Sequence, residues 1–311
     1  RPAAALCAAA LTWAPRSAAS GYHMESLSIN EGLSQNYAGT ILRDSRGYLW
    51  IGTKFGLNRY DHFSHVKTYF ASKEGGALPS DNIRHVFETP GGEIWVLCEN
   101  GTAVYQPLTD TFREIRYEHD KPLNLWSAYT DGRLVVLGGR GQLYKLDCAT
   151  RKLSRLNTTG GSGSYYTQIH PLDSNNALLV TRWDGIWNYN RQTGEITRYP
   201  GIDCREVTSA AIDTLGRIWV AVYNQGVRCY NRSGRLLAEI DRSNSDLECN
   251  IVLDIGHGTA PDELWLATDG AGVRSLRTET REIEPISDRG GQSVVSIYKD
   301  TYGNLYSGTI D

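Results

Sequence analysis

One short phrase, repeated along the whole chain, constrains the fold more than any other feature. It is clearest as Asp44-Ser45-Arg46-Gly47-Tyr48-Leu49-Trp50-Ile51-Gly52-Thr53. Degraded copies place Trp95, Val135, Leu178, Trp219, Trp265 and Tyr306 in the slot of Trp50, at intervals of 45, 40, 43, 41, 46 and 41 residues. A period in the low forties built of short β-rich units is the mark of a propeller. The expectation is an all-β, seven-bladed β-propeller of four-stranded antiparallel blades, with the last blade cut short.

The copies carry their own physics. Gly47, Gly92, Gly132, Gly216 and Gly303 stand three residues before the slot and mark tight hairpins. The strands that follow (LWIGT, IWVLC, LVVLG, ALLVT, IWVAV, LWLAT, LYSGT) are apolar without alternation, so both of their faces should be buried. A second glycine opens the next strand, at Gly56, Gly101, Gly141, Gly185, Gly226 and Gly272. Tyr60, Tyr105, Tyr189 and Tyr230 follow it by four and are expected between blades. Of 8 Trp, four hold the repeat slot, so the aromatic content is mainly architectural. Upstream strands such as Ile83–Glu88 and downstream strands such as Val66–Phe70 complete four per unit. No stretch has helical periodicity.

The repeat overrides the usual prior of about two domains for 311 residues. A net charge of -3 gives no basic footprint, which argues against nucleic acid as a partner. No apolar window is long enough to span a membrane. Residues 1–20 read as the remnant of a signal peptide: Arg1, then AAALCAAALTW, then small residues to Ser20. The alternative is an apolar leader packed on the domain. Residues 21–311 are then the propeller. Cys204 and Cys249 hold nearly equivalent positions in adjacent copies; they read either as a disulfide or as small buried hydrophobes.

The first copy runs from Leu33-Ser34-Gln35-Asn36 through the slot phrase to Tyr60-Asp61, and the second opens Leu78-Pro79-Ser80-Asp81-Asn82. These closely resemble the regulator-propeller repeats of hybrid two-component sensors of Bacteroidetes. That resemblance implies a periplasmic first propeller, followed in the same polypeptide by a second propeller, an Ig-like domain, a membrane helix and a histidine kinase. It implies a parent homodimer, anchored in the inner membrane. The chain stops midway through copy seven, so a continuation is expected. Tyr22–Ile29 is expected to supply an outer strand to the last blade.

No catalytic or cofactor motif stands out, so no cofactor is expected. His62 and His65, three apart on a strand, would face opposite ways and are not read as a metal pair. Asp44, Asp213 and Asp300 read as turn formers whose carboxylates cap backbone N–H groups. The candidate ligand site is instead the set of loops just before the second glycine: Lys54 and Phe55; Glu99 and Asn100; Arg140; Arg182, Trp183 and Asp184; Tyr223, Asn224 and Gln225; and Asp269. In copy four an Arg, a Trp and an Asp come together, as sugar sites require. The competing reading has Trp183 filling a gap left by Leu178. Three functions follow: a sensor of an oligosaccharide or other nutrient-derived small molecule; a propeller lyase or glycoside hydrolase using Glu99, Asp184 and Asp269; or a protein-interaction scaffold.

Overall fold

The computed structural model describes residues 25–63, 65–130, 132, 134–286 and 291–310. The leader expected over residues 1–20 lies outside them. The chain is an all-β propeller. Blade 1 is built of Thr40–Arg43, Leu49–Gly52, Leu57–Tyr60 and Val66–Tyr69, each antiparallel to the next. Blades 2 to 6 begin at the inner strands Ile83–Glu88, Ser127–Thr130, Tyr166–Pro171, Val207–Ile212 and Val252–His257. Among the described residues the complete blades number six, not seven. In the seventh place stands a two-stranded sheet, Val294–Lys299 with Leu305–Thr309.

The strand count per blade also needs correction. Blades 2 and 4 have five strands rather than four. Lys121–Pro122 turns back on Thr111–Tyr117 through Glu118, His119 and Asp120, all at positive φ. Thr159–Gly160 pairs parallel with the start of Glu195–Arg198. Both additions come from connections between blades that fold back on an open outer edge.

The slot residues explain the stacking. Trp50, Trp219 and Trp265 are fully buried, and the strand carrying each is buried along its length. Trp50 reaches into the seam between blades 1 and 2, where its ring meets Tyr105 edge-on at 4.9 Å. Tyr189 packs between blades 3 and 4, and Tyr230 between 4 and 5. Truncating such a Trp to Ala would cost about 3–5 kcal/mol.

Around the central channel, polar side chains of the inner strands tie neighbours together. Thr40 Oγ1 accepts from Val86 N at 3.3 Å, Gln168 Oε1 from Ala210 N at 2.9 Å, and Ser209 Oγ from Ile255 N at 3.1 Å. Asp254 Oδ2 accepts from Ile297 N at 3.0 Å, and Ser127 Oγ donates to Tyr166 O at 2.6 Å. Ser296 Oγ closes the circle by donating to Ala38 O at 2.7 Å. The same seam holds Ala38 N on Thr309 O (3.3 Å) and Arg43 Nη1 on Asp300 Oδ2 (2.9 Å). Of the segment expected as an outer strand, residues 22–24 lie outside the described residues, and Leu27 forms a β-bridge. Leu27 is buried against blade 1 and Tyr306, and Ile29–Glu31 is a 3-10 turn capped by Ser28.

Candidate functional site

Chain direction sorts the connections onto two faces. Each inner strand runs toward a hairpin on one face, of the Asp-Gly type at Asp44–Gly47, Asp213–Gly216 and Asp300–Gly303. The next strand returns to the other face, where the loops nominated from sequence lie beside the segments that enter the next inner strand. Backbone bonds join the two sets: Gly56 N to Asp81 O, Gly141 N to Ser164 O, and Gly226 N to Asn250 O, at 2.8–2.9 Å.

A threonine shapes these loops. Thr53, Thr181 and Thr268 are fully buried. Thr181 Oγ1 accepts from Asp184 N at 3.1 Å and donates to Gly185 O at 3.0 Å, a side-chain turn that pushes Arg182 and Trp183 outward. Gly185 then takes φ 80°, and a Cβ there would overlap the carbonyl oxygen of Cys204. Thr53 adds a contact to Ser34 Oγ at 3.1 Å, and Ser34 N donates to the buried Asn58 Oδ1 at 3.0 Å. The Leu33-Ser34 approach and the Thr53 loop are thereby one unit.

The rim of blades 2 to 4 forms a pocket of about 310 Å³, lined by Arg84, Trp126, Arg140, Gly163, Ser164, Tyr165, Thr167, Arg182 and Trp183. Trp126 stacks on Tyr165 at 4.6 Å and 22°, and the Arg84 guanidinium lies over the Trp126 ring at 4.4 Å. Arg84 also pairs with Glu99 at 2.5 Å. Arg140 Nε donates to Gly163 O at 3.1 Å, and Arg182 sits 5.1 Å from the Trp183 ring. Trp183 is 62% exposed, so it fills no blade gap; Leu178 itself occupies its slot, fully buried. Burial holds the Tyr37 hydroxyl above its ordinary pKa, opposed by the nearby Arg84 and Arg182 charges.

The other nominated residues scatter. Asp184 does not face the pocket: its carboxylate pairs with Arg198, and its carbonyl accepts from Arg198 and from Trp187 Nε1. Lys54 lies over Tyr37 at 4.1 Å, and Phe55 meets Phe70 edge-on. Asn100 is exposed. Tyr223 is exposed, and Asn224 turns the chain at φ 56°. Gln225 accepts from Arg228 at 3.1 Å in a separate polar depression beside Cys204. Asp269 is bonded by Ser293. Cys204 and Cys249 are both free thiols, which overturns the disulfide; Cys204 Sγ lies 3.1 Å from the Tyr230 hydroxyl, and Cys249 faces the Asp269 carbonyl.

Arg84, Trp126, Tyr165 and Tyr37 were not nominated from sequence. Arg84 belongs to an inner strand, and the three aromatics to the segments that enter inner strands. The usable signal was the approach phrase itself, which marks the other half of the same rim.

A second cavity, about 400 Å³, is the central channel, lined by inner strands from every blade. Burial depresses His85 and His170 to about 4 and raises the Asp254 carboxyl.

Comparison with known proteins agrees with this architecture. Residues 32–55 match the two component regulator propeller family model. No curated protein matches the sequence. Among solved structures, the extracellular domain of the putative hybrid two component system BT3049 from B. thetaiotaomicron superposes with a TM-score of 0.71 at 20% identity, over 91% of this chain and 40% of that one. That of BT4673 from the same organism gives 0.70 at 17%, over 89% and 41%. This chain thus spans about 40% of the length of those domains. A virginiamycin B lyase from Staphylococcus aureus with quinupristin gives 0.62 at 14%, over 88% and 96%. The chain is a β-propeller that carries the two-component regulator propeller repeat.

Proposed function

We propose that this chain is the periplasmic ligand-sensing propeller of a hybrid two-component regulator, responsive to an oligosaccharide and signalling to a histidine kinase elsewhere in the same polypeptide. The observation that carries the reading is the rim pocket. It is open, shared by three blades, and offers an exposed indole together with the guanidinium groups of Arg84, Arg140 and Arg182. Exposed aromatic faces bind the C–H faces of sugars, and fixed donors read their hydroxyls. The family match over residues 32–55 supports the regulatory setting. In this reading residues 1–20 are the remnant of an export signal and residues 21–311 the first of two propellers. The second propeller, the Ig-like domain and a parent homodimer belong to the longer chain. The sensing element itself does no chemistry and binds no nucleic acid.

The lyase and glycosidase readings share the fold, but the three acids nominated for them do not converge. Glu99 is engaged by Arg84 on blade 2, Asp184 by Arg198 on blade 4, and Asp269 by Ser293 beyond blade 6. A scaffold reading would leave the pocket without a role.

Calorimetric titration of the chain with plant, host and microbial oligosaccharides tests the proposal. Binding of one sugar that Trp183→Ala abolishes, with the melting curve unchanged, is the expected result. No sugar binding at millimolar concentration would contradict it.

A further inference from the structure

Building on that sensing role, we propose that the rim pocket takes an acidic sugar, its carboxylate or sulfate seated among Arg84, Arg140 and Arg182. Three guanidinium groups line one pocket in a chain whose net charge is -3, so bulk composition does not account for them. Among the described residues, the only carboxylate bonded to any of the three is Glu99, which holds Arg84. Among the described residues Arg182 makes no hydrogen bond or ion pair; its contacts are with the Trp183 ring and the field of Tyr37. Arg140 uses Nε on Gly163 O, which leaves its terminal nitrogens for a ligand.

The aromatic groups divide into two roles. Trp126 already carries two neighbours against its ring, Arg84 at 4.4 Å and Tyr165 at 4.6 Å. It is half-buried, whereas Trp183 is 62% exposed. Trp126 holds the Arg84 plane in place, as stacking on an indole does. A guanidinium fixed in this way loses little freedom when it meets an anion, and its fork matches a carboxylate or sulfate edge. Trp183, exposed and at the mouth, is the surface left for a ring. The cavity of about 310 Å³ is at the small end of ligand pockets and accommodates a short acidic oligosaccharide end rather than a long chain.

Three probes separate the outcomes in calorimetry on the full chain: tetragalacturonate, which carries only carboxylates; a κ-carrageenan tetrasaccharide, which carries only sulfates; and neutral galactotetraose. The expected result is that one acidic probe binds and galactotetraose does not. That affinity should fall at least tenfold in Arg182→Gln, fall less in Arg182→Lys, and weaken as salt is raised. Which acidic probe binds identifies the anion. Arg182 is exposed, so Arg182→Gln should melt as wild type does. Galactotetraose binding as tightly as the acidic probes, unchanged in Arg182→Gln, would overturn the acidic specificity and leave oligosaccharide sensing intact. Failure of all three probes at millimolar concentration, together with failure of the wider sugar panel, would overturn both.

Discussion

The carboxylate of Asp44 accepts a 2.9 Å hydrogen bond from the indole Nε1 of Trp50, six residues on and fully buried. Its other oxygen accepts from Arg46 N and Tyr48 N at 3.0 and 2.9 Å. One side chain therefore closes the hairpin and anchors the aromatic that fills the blade seam. Asp213 does the same for Trp219 at 2.9 Å. Asp300 receives the Tyr306 hydroxyl at 3.3 Å. Where Thr259 stands in the Asp position, Trp265 Nε1 is buried with no partner among the described residues.

Removing the acid should be expensive at these turns. Asp44→Ala and Asp213→Ala each strand a buried indole N–H and two backbone donors, for a loss of about 2–4 kcal/mol. Urea unfolding measures it. A loss below about 0.5 kcal/mol would show that the bonds are replaced by water.

The Trp residues themselves allow an internal comparison. Trp50→Phe loses the bond to Asp44, whereas Trp265→Phe loses none. Both shrink the ring alike, so Trp50→Phe should be the more damaging, by about 1 kcal/mol. Equal losses would mean that ring packing alone governs the slot.

Ring closure should depend on Gly308. It lies in the seam between the two-stranded sheet and blade 1, and a Cβ there would overlap the carbonyl oxygen of Ala38. Gly308→Ala should part that seam, lower the melting temperature by several degrees and speed amide exchange at Ala38 and Thr309. At Gly52 the neighbours are the side chains of Thr40 and Ile83 rather than backbone, so Gly52→Ala should be milder. Faster exchange confined to another seam in Gly308→Ala would contradict this.

Asp254 makes an acid-linked contribution with a definite sign. Burial in the channel raises its carboxyl above 3.8, despite donors from Ser209 and the backbone of Ile255 and Ile297. The folded state thus keeps a proton that the unfolded state releases near 3.8. This site's contribution is most favourable below that pH and declines as pH rises through the folded value. The stability of Asp254→Asn relative to wild type should therefore rise over that interval and then level off. Denaturant titrations at closely spaced pH would show it; parallel curves would exclude it.

Much of the fold was legible because one residue type recurs for one reason at each position. The slot aromatics, the turn Asp and the paired glycines all answer requirements that a blade repeats. The two fold-back strands were less legible, since they depend on how an edge is covered rather than on the repeat. Of the loop residues nominated from sequence, Arg140, Arg182 and Trp183 line the candidate pocket. Asp184 adjoins Trp183 in sequence, yet its backbone closes the Thr181 turn and its carboxylate pairs with Arg198. Arg84, Trp126 and Tyr165 are brought to the pocket by ring geometry, from three separate blades or their approaches, and no local spacing announces that.

Hydrogen exchange with and without a bound oligosaccharide is the most direct measurement of the rim assignment. Protection should appear in residues 139–142, 163–166 and 181–184, with the Asp-Gly hairpins of the opposite face unchanged. Protection on those hairpins, or along the channel strands alone, would contradict a rim site.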